Sequence, residues 1–265
     1  MIIDGHVHLR YEGDNVIDLD ALLESMRRCG IDQAIVIASP NREASTEKLL
    51  HTLAPHKGKL YLIGTLAPLR IRYPDKALLD QLERWLSSCS IVALKFYLGY
   101  QHYFPHNESL LGAYYELLEK YDRPAVFHTG DCHVEIGGAM LKCAHPLEID
   151  QLAVQRPKLR IVMAHIGNPW TDDAAEVCYN KKNVYADCSG FVCGDFSEKE
   201  AARFARVVDH FYEWTESDDK LLFATDWPIS NQDSYRAVID RLHLSPERKE
   251  KLLWQNAKRV YRLPE

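Results

Sequence analysis

The sequence predicts an α/β protein, a single-domain (β/α)8 TIM barrel over residues 1–265. Three observations carry this reading. Eight short β-type runs occur from end to end, most of them near-continuously apolar, as parallel strands covered on both faces must be. Amphipathic helical patterns fill the gaps between them. The length of 265 residues suits one large core, since barrels of this kind commonly take about 250 residues. A doubly wound open sheet shows the same alternation and stays open as an alternative, because strand number does not fix closure.

The runs, in order, are "MIIDGHVHL" (1–9), "DQAIVIAS" (32–39), "LYLIGTLAP" (60–68), "IVALKFYL" (91–98), "PAVFHTG" (124–130), "RIVMAHIG" (160–167), "NVYADCSG" (183–190) and "KLLFATDWP" (220–228). After the first, "DLDALLESMRRCG" repeats apolar residues at helical spacing and stops at Gly30, a C-cap glycine. "DKALLDQLERWLSSC", "SLLGAYYELLEKY", "HPLEIDQLAVQRP" and "SEKEAARFARVVDHFYEW" repeat the pattern after later runs. The chain closes on "SPERKEKLLWQNAKRVYRL", where Ser245 supplies an N-cap and Pro246 the first helical position. The longest irregular stretches, "GYQHYFPHNE" and "GDCHVEIGGAMLKCAH", follow the fourth and fifth runs. Loops there form walls or lids, and Gly130, Gly137 and Gly138 mark the second as the more mobile.

Composition narrows the partners. Apolar residues make up 46% and charged residues 26%, with a net charge of −6 and no Lys/Arg block. Nucleic acid and anionic membranes are therefore not expected partners; a small-molecule substrate is. The apolar runs are too short to span a bilayer, and the first residues show no secretory pattern. Seven scattered cysteines without a CxxC pair read as reduced thiols, which points to the cytoplasm. A homodimer is the base-rate expectation for assembly.

The unusual polar residues collect at the ends of the β runs. His6 and His8 end the first, Lys95 lies in the fourth, His128 and His165 end the fifth and sixth, and Asp226 ends the eighth. Strand ends converge on the face where such barrels hold their active sites. His6 and His8, two apart, project to one side. Each residue has a plainer reading: an HxH pair can hydrogen-bond in a polar core, Asp226 before Trp-Pro can cap a turn, and Lys95 can ion-pair. Five candidate ligands on four run ends are harder to assign to structure separately. Imidazole nitrogens and a carboxylate suit Zn²⁺ or a related divalent ion, with a position left for water or substrate. A bound ion brings the pKa of its water toward about 7 and yields a nucleophile at neutral pH.

With these residues in place, the chain resembles the amidohydrolase superfamily. The nearer match is the amidohydrolase-2 branch, which includes the aminocarboxymuconate-semialdehyde decarboxylase group. The motifs that carry the resemblance are "DGHVHL", "ALKFY", "VFHTGD", "HPLEIDQLA", "IVMAHIGNPW", "NVYADCSG", "FATDWP" and "QNAKRVYRL", in order along the chain. The resemblance implies that His6, His8, His128 and Asp226 hold one divalent ion, usually zinc, and that His165 works beside it. A carbamylated Lys95 would imply a second ion; an unmodified Lys95 would face substrate. The implied chemistry is hydrolysis of a lactone, ester or amide, with Asp226 or His165 as proton acceptor. Arg10 and Lys95 are candidates for a substrate carboxylate, and Tyr97, His133 and Trp170 for the pocket wall. Cys132, His133 and Glu135 could add polar contacts from the fifth loop. Two other readings remain at this point: non-oxidative decarboxylation of an unsaturated or aromatic acid, and a barrel that binds without catalysing.

Overall fold

A computed structural model of the protein describes residues 1–13, 15–40, 45–133 and 138–264. Glu135 and Gly137 lie outside the described residues. Eight parallel strands follow one another in chain order: β1 (Ile3–His8), β2 (Gln33–Ile37), β3 (Leu60–Thr65), β4 (Ala93–Phe96), β5 (Ala125–His128), β6 (Ile161–Ala164), β7 (Val184–Asp187) and β8 (Leu221–Leu222). The ring closes between its last strand and its first. Gly5 N donates to the Phe223 carbonyl at 2.9 Å, Asp226 N to the His6 carbonyl at 2.8 Å, and His8 N to the Trp227 carbonyl at 2.6 Å. Val7 and Trp227 form a parallel bridge at the same seam. The sheet is a barrel, and the open-sheet alternative falls.

Each β run contains one strand, and the strand is shorter than the run. The eighth shows why. Phe223 N leaves the sheet and donates at 2.9 Å to the Leu252 carbonyl, inside a π-helical turn at Lys251–Gln255. The widened turn exposes a carbonyl that a regular α-helix would keep for itself.

The outer layer comprises α1 (Leu19–Cys29), α2 (Ser45–Leu53), α3 (Lys76–Ser87), α4 (Glu108–Lys120), α5 (Leu147–Gln155), α6 (Thr171–Asn180), α7 (Glu198–Thr215) and α8 (Gln232–Arg241). Their ends follow the sequence signals. Gly30 ends α1 at φ 64°, Asp75 Oδ1 accepts from Leu78 N at 2.7 Å, and Ser197 and Glu200 form a reciprocal capping box on α7. No helix among the described residues is long and apolar enough to cross a membrane.

Two cores result. The larger packs the helices against the outer faces of the strands. The inner one gathers Ile35, Ile37, Ile63, Val126, Val162 and Leu222 with Val260 and Tyr261 of the C-terminal segment. Arg123 and Arg160, just before β5 and β6, donate to the carbonyls of Tyr261 and Val260 at 2.6 and 2.7 Å. The C-terminal segment thus plugs the end where strands begin. Chemistry is left to the end where they finish.

Strand β1 carries a bulge. Asp4 pairs with Ala34 and Val7 with Val36, so three steps on β1 match two on β2. In an unbroken pleat Asp4, His6 and His8 would share one face. The extra residue separates them, as bulges beside active sites do. Asp4 turns to the helix side, where it accepts from Thr225 Oγ1 at 2.6 Å, Thr225 N at 3.0 Å and Gln232 Nε2 at 2.8 Å. It clamps β1 to the last strand's loop and to α8. Burial pushes its carboxyl up to about 6, against these bonds.

Candidate active site

His6 and His8, released inward by the bulge, meet Asp226 from the loop after β8. Their Nε2 atoms are 3.3 Å apart, and Asp226 Oδ1 lies 3.6 Å from the first and 3.3 Å from the second. Ligand atoms at about 2.0–2.1 Å from a tetrahedral zinc stand roughly 3.3–3.4 Å from one another. The triangle fits a divalent ion on that ground. It also fits on a second: Asp226 Oδ1 is buried without a hydrogen-bond partner, a costly state for a carboxylate that a cation would relieve. Asp226 sits at φ 72°, in the left-handed region that suits aspartate better than most side chains.

A second layer lies beneath. His6 Nδ1 is 3.1 Å from Asp187 Oδ2, a carboxylate behind an imidazole that leaves Nε2 free to ligate. Ser189 Oγ is 2.9 Å from His165 Nδ1. His165 Nε2 in turn is 3.1 Å from His128 Nδ1, and His128 Nε2 donates to the Asp131 carbonyl at 2.9 Å. Among the described residues, the two metal-compatible groups are His6, His8 and Asp226, and His6, His165 and Asp187. His128 belongs to neither; the structure sets it against His165, with Nδ1 as its free nitrogen.

Lys95 is 1% exposed and its Nζ has no hydrogen-bond partner. Burial lowers its ammonium to about 8, opposed by the nearby carboxylates of Asp187 and Asp226. Burial first, then this cation and neighbouring imidazoles, drives His6 well below the usual histidine range. His128 falls to about 3 from the same first causes, and His165 falls well below its usual range through burial, His128, His6 and Lys95. These imidazoles are neutral at pH 7, the form that ligates metals and accepts protons.

The remaining candidates scatter. Tyr97 is buried, its ring parallel to His128 with centroids 6.2 Å apart, and Tyr100 lies 4.9 Å from the same imidazole. Together they wall one side of the site. Arg10 is exposed, and its Nε donates to Asp18 Oδ2 at 2.9 Å. That pair closes the base of a small hairpin, Tyr11–Glu12 against Asn15–Val16. His133 is exposed and ties its backbone N–H to Tyr100 Oη at 2.8 Å. Trp170 packs its ring on His145, with centroids 4.7 Å apart.

Residues 3–263 match the sequence profile of the amidohydrolase family. The chain belongs to that family. No curated protein matches this amidohydrolase in sequence. Solved structures share its fold. An amidohydrolase from Burkholderia multivorans with bound zinc is 16% identical, with a TM-score of 0.75 and 100% of both chains covered. A probable 2-pyrone-4,6-dicarboxylic acid hydrolase from Acinetobacter baumannii, with citric acid bound, is 14% identical (TM-score 0.72, 98% of each chain). The 5-carboxyvanillate decarboxylase of Sphingomonas paucimobilis is 13% identical (TM-score 0.70, 99% of each chain).

Sequence reasoning passed over one part of this amidohydrolase's site, the turn Asp187–Gly190 after β7. The signal was present: Asp187 ends an apolar run, as the other candidates do. Gly190, at φ 61°, brings the backbone so close that an added Cβ would stand 2.6 Å from His165 Nδ1 and 3.0 Å from Asp226 Oδ2. Gly190→Ala is expected to displace both side chains. The left-handed backbone adds a cost of roughly 1–2 kcal/mol. Turnover should fall at least tenfold while the circular dichroism spectrum stays that of the wild type. Unchanged turnover would show that the turn does not press on the site.

Proposed function

We propose that this amidohydrolase is a metal-dependent hydrolase that opens a lactone, ester or amide bond in a small, carboxylate-bearing substrate. The observation that carries the reading is the triangle of His6 Nε2, His8 Nε2 and Asp226 Oδ1, with sides of 3.3–3.6 Å and an orphaned carboxylate oxygen. These three residues would hold the ion, zinc in this proposal, which supplies Lewis acidity and a water of lowered pKa. A single ion is favoured because the second group reuses His6, and Asp187 Oδ1 already accepts amide bonds from His165 and Ser189.

The chain's own residues supply the rest. His165 stands beside His6, ring centroids 4.9 Å apart, as a neutral base for the proton that water or substrate releases. The buried Lys95 ammonium offsets negative charge that develops in the site. Tyr97 and Tyr100, packed about His128, supply an aromatic wall on that side of the site. Arg10 is engaged by Asp18, which leaves Lys95 as the better candidate for a substrate carboxylate. The same Lys95 favours the second reading, decarboxylation, since a cation there would also stabilise the electron pair left as CO₂ departs.

A substrate panel separates the two. Lactones, esters, amides and carboxylated aromatics are offered to the zinc-loaded protein, with acid release and CO₂ scored apart. Acid release that is lost on chelation and restored by zinc is the expected result. CO₂ release without any ester or lactone turnover would replace hydrolysis with decarboxylation.

A further inference from the structure

Ser189 Oγ is a hub among the site's side chains. It lies 3.2 Å from His6 Nδ1 and 2.9 Å from His165 Nδ1, and it makes a short contact with Asp187 Oδ1. A hydroxyl has one proton and two lone pairs, so the destination of that proton decides the roles of both imidazoles. Asp187 Oδ1 already accepts the amide N–H of His165 at 3.0 Å and that of Ser189 at 3.1 Å. An oxygen serving two amide donors is an acceptor, and the short Ser189 contact is a charge-assisted O–H···O bond to it. With its proton committed there, Ser189 Oγ has only lone pairs to offer. His165 must then donate from Nδ1. His6 Nδ1 donates as well, between Ser189 Oγ and Asp187 Oδ2.

We propose that Ser189 is a positioning residue that, backed by Asp187, holds His6 and His165 as Nδ1–H tautomers and so leaves both Nε2 atoms with a free lone pair, that of His6 toward His8 and Asp226 and that of His165 toward His128. For His6 this frees Nε2 to face His8 and Asp226. For His165 it makes Nε2 a proton acceptor. Because His128 Nε2 is spent on the Asp131 carbonyl, His128 Nδ1 is bare too. These two nitrogens face each other at 3.1 Å, so a single proton between them would bond both. The catalytic part of this inference rests on the hydrolase reading; the tautomers themselves do not.

The test is the ¹⁵N spectrum of histidine-labelled, zinc-loaded protein, with His165 identified by the resonances that His165→Gln removes. Wild-type His165 should show a protonated Nδ1 and a bare Nε2. In Ser189→Ala the acceptor is gone, and His165 should gain the Nε2–H form, which can donate to His128 Nδ1. With a turned-over substrate in hand, kcat should fall roughly 10–100-fold, the range for partners behind a working imidazole, with KM little changed. Zinc content should hold, because Asp187 still supports His6. Ser189→Thr, which keeps the hydroxyl, should restore the wild-type tautomer. A wild-type His165 protonated on Nε2, or an unchanged tautomer in Ser189→Ala, overturns the proposal. The spectra need no substrate, so they decide even if the hydrolase reading fails. The wild-type spectrum decides even if the alanine variant does not fold.

Discussion

Asp226→Ala should lower turnover by roughly 10³-fold or more, and with it the zinc retained through dialysis, while the barrel still folds. Both halves follow from geometry. Oδ1 closes the triangle with His6 and His8, and the alanine methyl offers no atom in its place. The fold is spared because the residue's structural bond is made by its backbone: Asp226 N donates to the His6 carbonyl whatever the side chain. Alanine tolerates the left-handed conformation at φ 72° less well than aspartate, a difference of about 1 kcal/mol. Metal content by elemental analysis, turnover and thermal melting check the three parts. Wild-type turnover in this variant would remove Asp226 from the site.

Asp187→Ala should strike both site and fold, with a loss of about 3–5 kcal/mol of stability. Asp187 is fully buried and accepts from His165 N, Ser189 N, Ser189 Oγ and His6 Nδ1. Each donor left unpaired in a dry interior costs about 1–3 kcal/mol. Lys95 also loses one of the two carboxylates that sustain its charge. Some donors will find water in the space vacated, which keeps the total below the simple sum. Denaturant unfolding measures the loss; a change under 1 kcal/mol would mean that the carboxylate is not the anchor described. The two aspartates thus differ in kind: one turns an unpaired oxygen toward His6 and His8, the other spends both oxygens on the protein.

The order and number of the strands were legible because each strand is buried on both faces and leaves an apolar run. Their ends were less so. Apolar residues continue past the end of β8 at Phe223 because that residue packs in the helix-side core while its N–H bonds to a helix carbonyl, a long-range exchange that no local pattern encodes. His6, His8 and Asp226 were legible as polar residues where a core expects none. Spacing alone put the two histidines on one face but set Asp4 there as well; the bulge that separates them appears only in the register with β2. Arg10 looked like a substrate contact by adjacency to the histidine pair. Its partner, Asp18, comes eight residues later, once the hairpin has folded back. Ser189 escaped notice because a serine in a turn is ordinary until three dimensions place two imidazoles on it.

The seam between β8 and β1 has a consequence for how the protein is made. Asp4 and Thr225, joined across that seam, are 221 residues apart in the chain. A ribosome releases the imidazoles of His6 and His8 well before the carboxylate of Asp226. A nascent chain that has emerged only as far as β7 carries two corners of the triangle and lacks the third. An ion that needs all three corners would therefore be held tightly only once β8 has closed the barrel against β1.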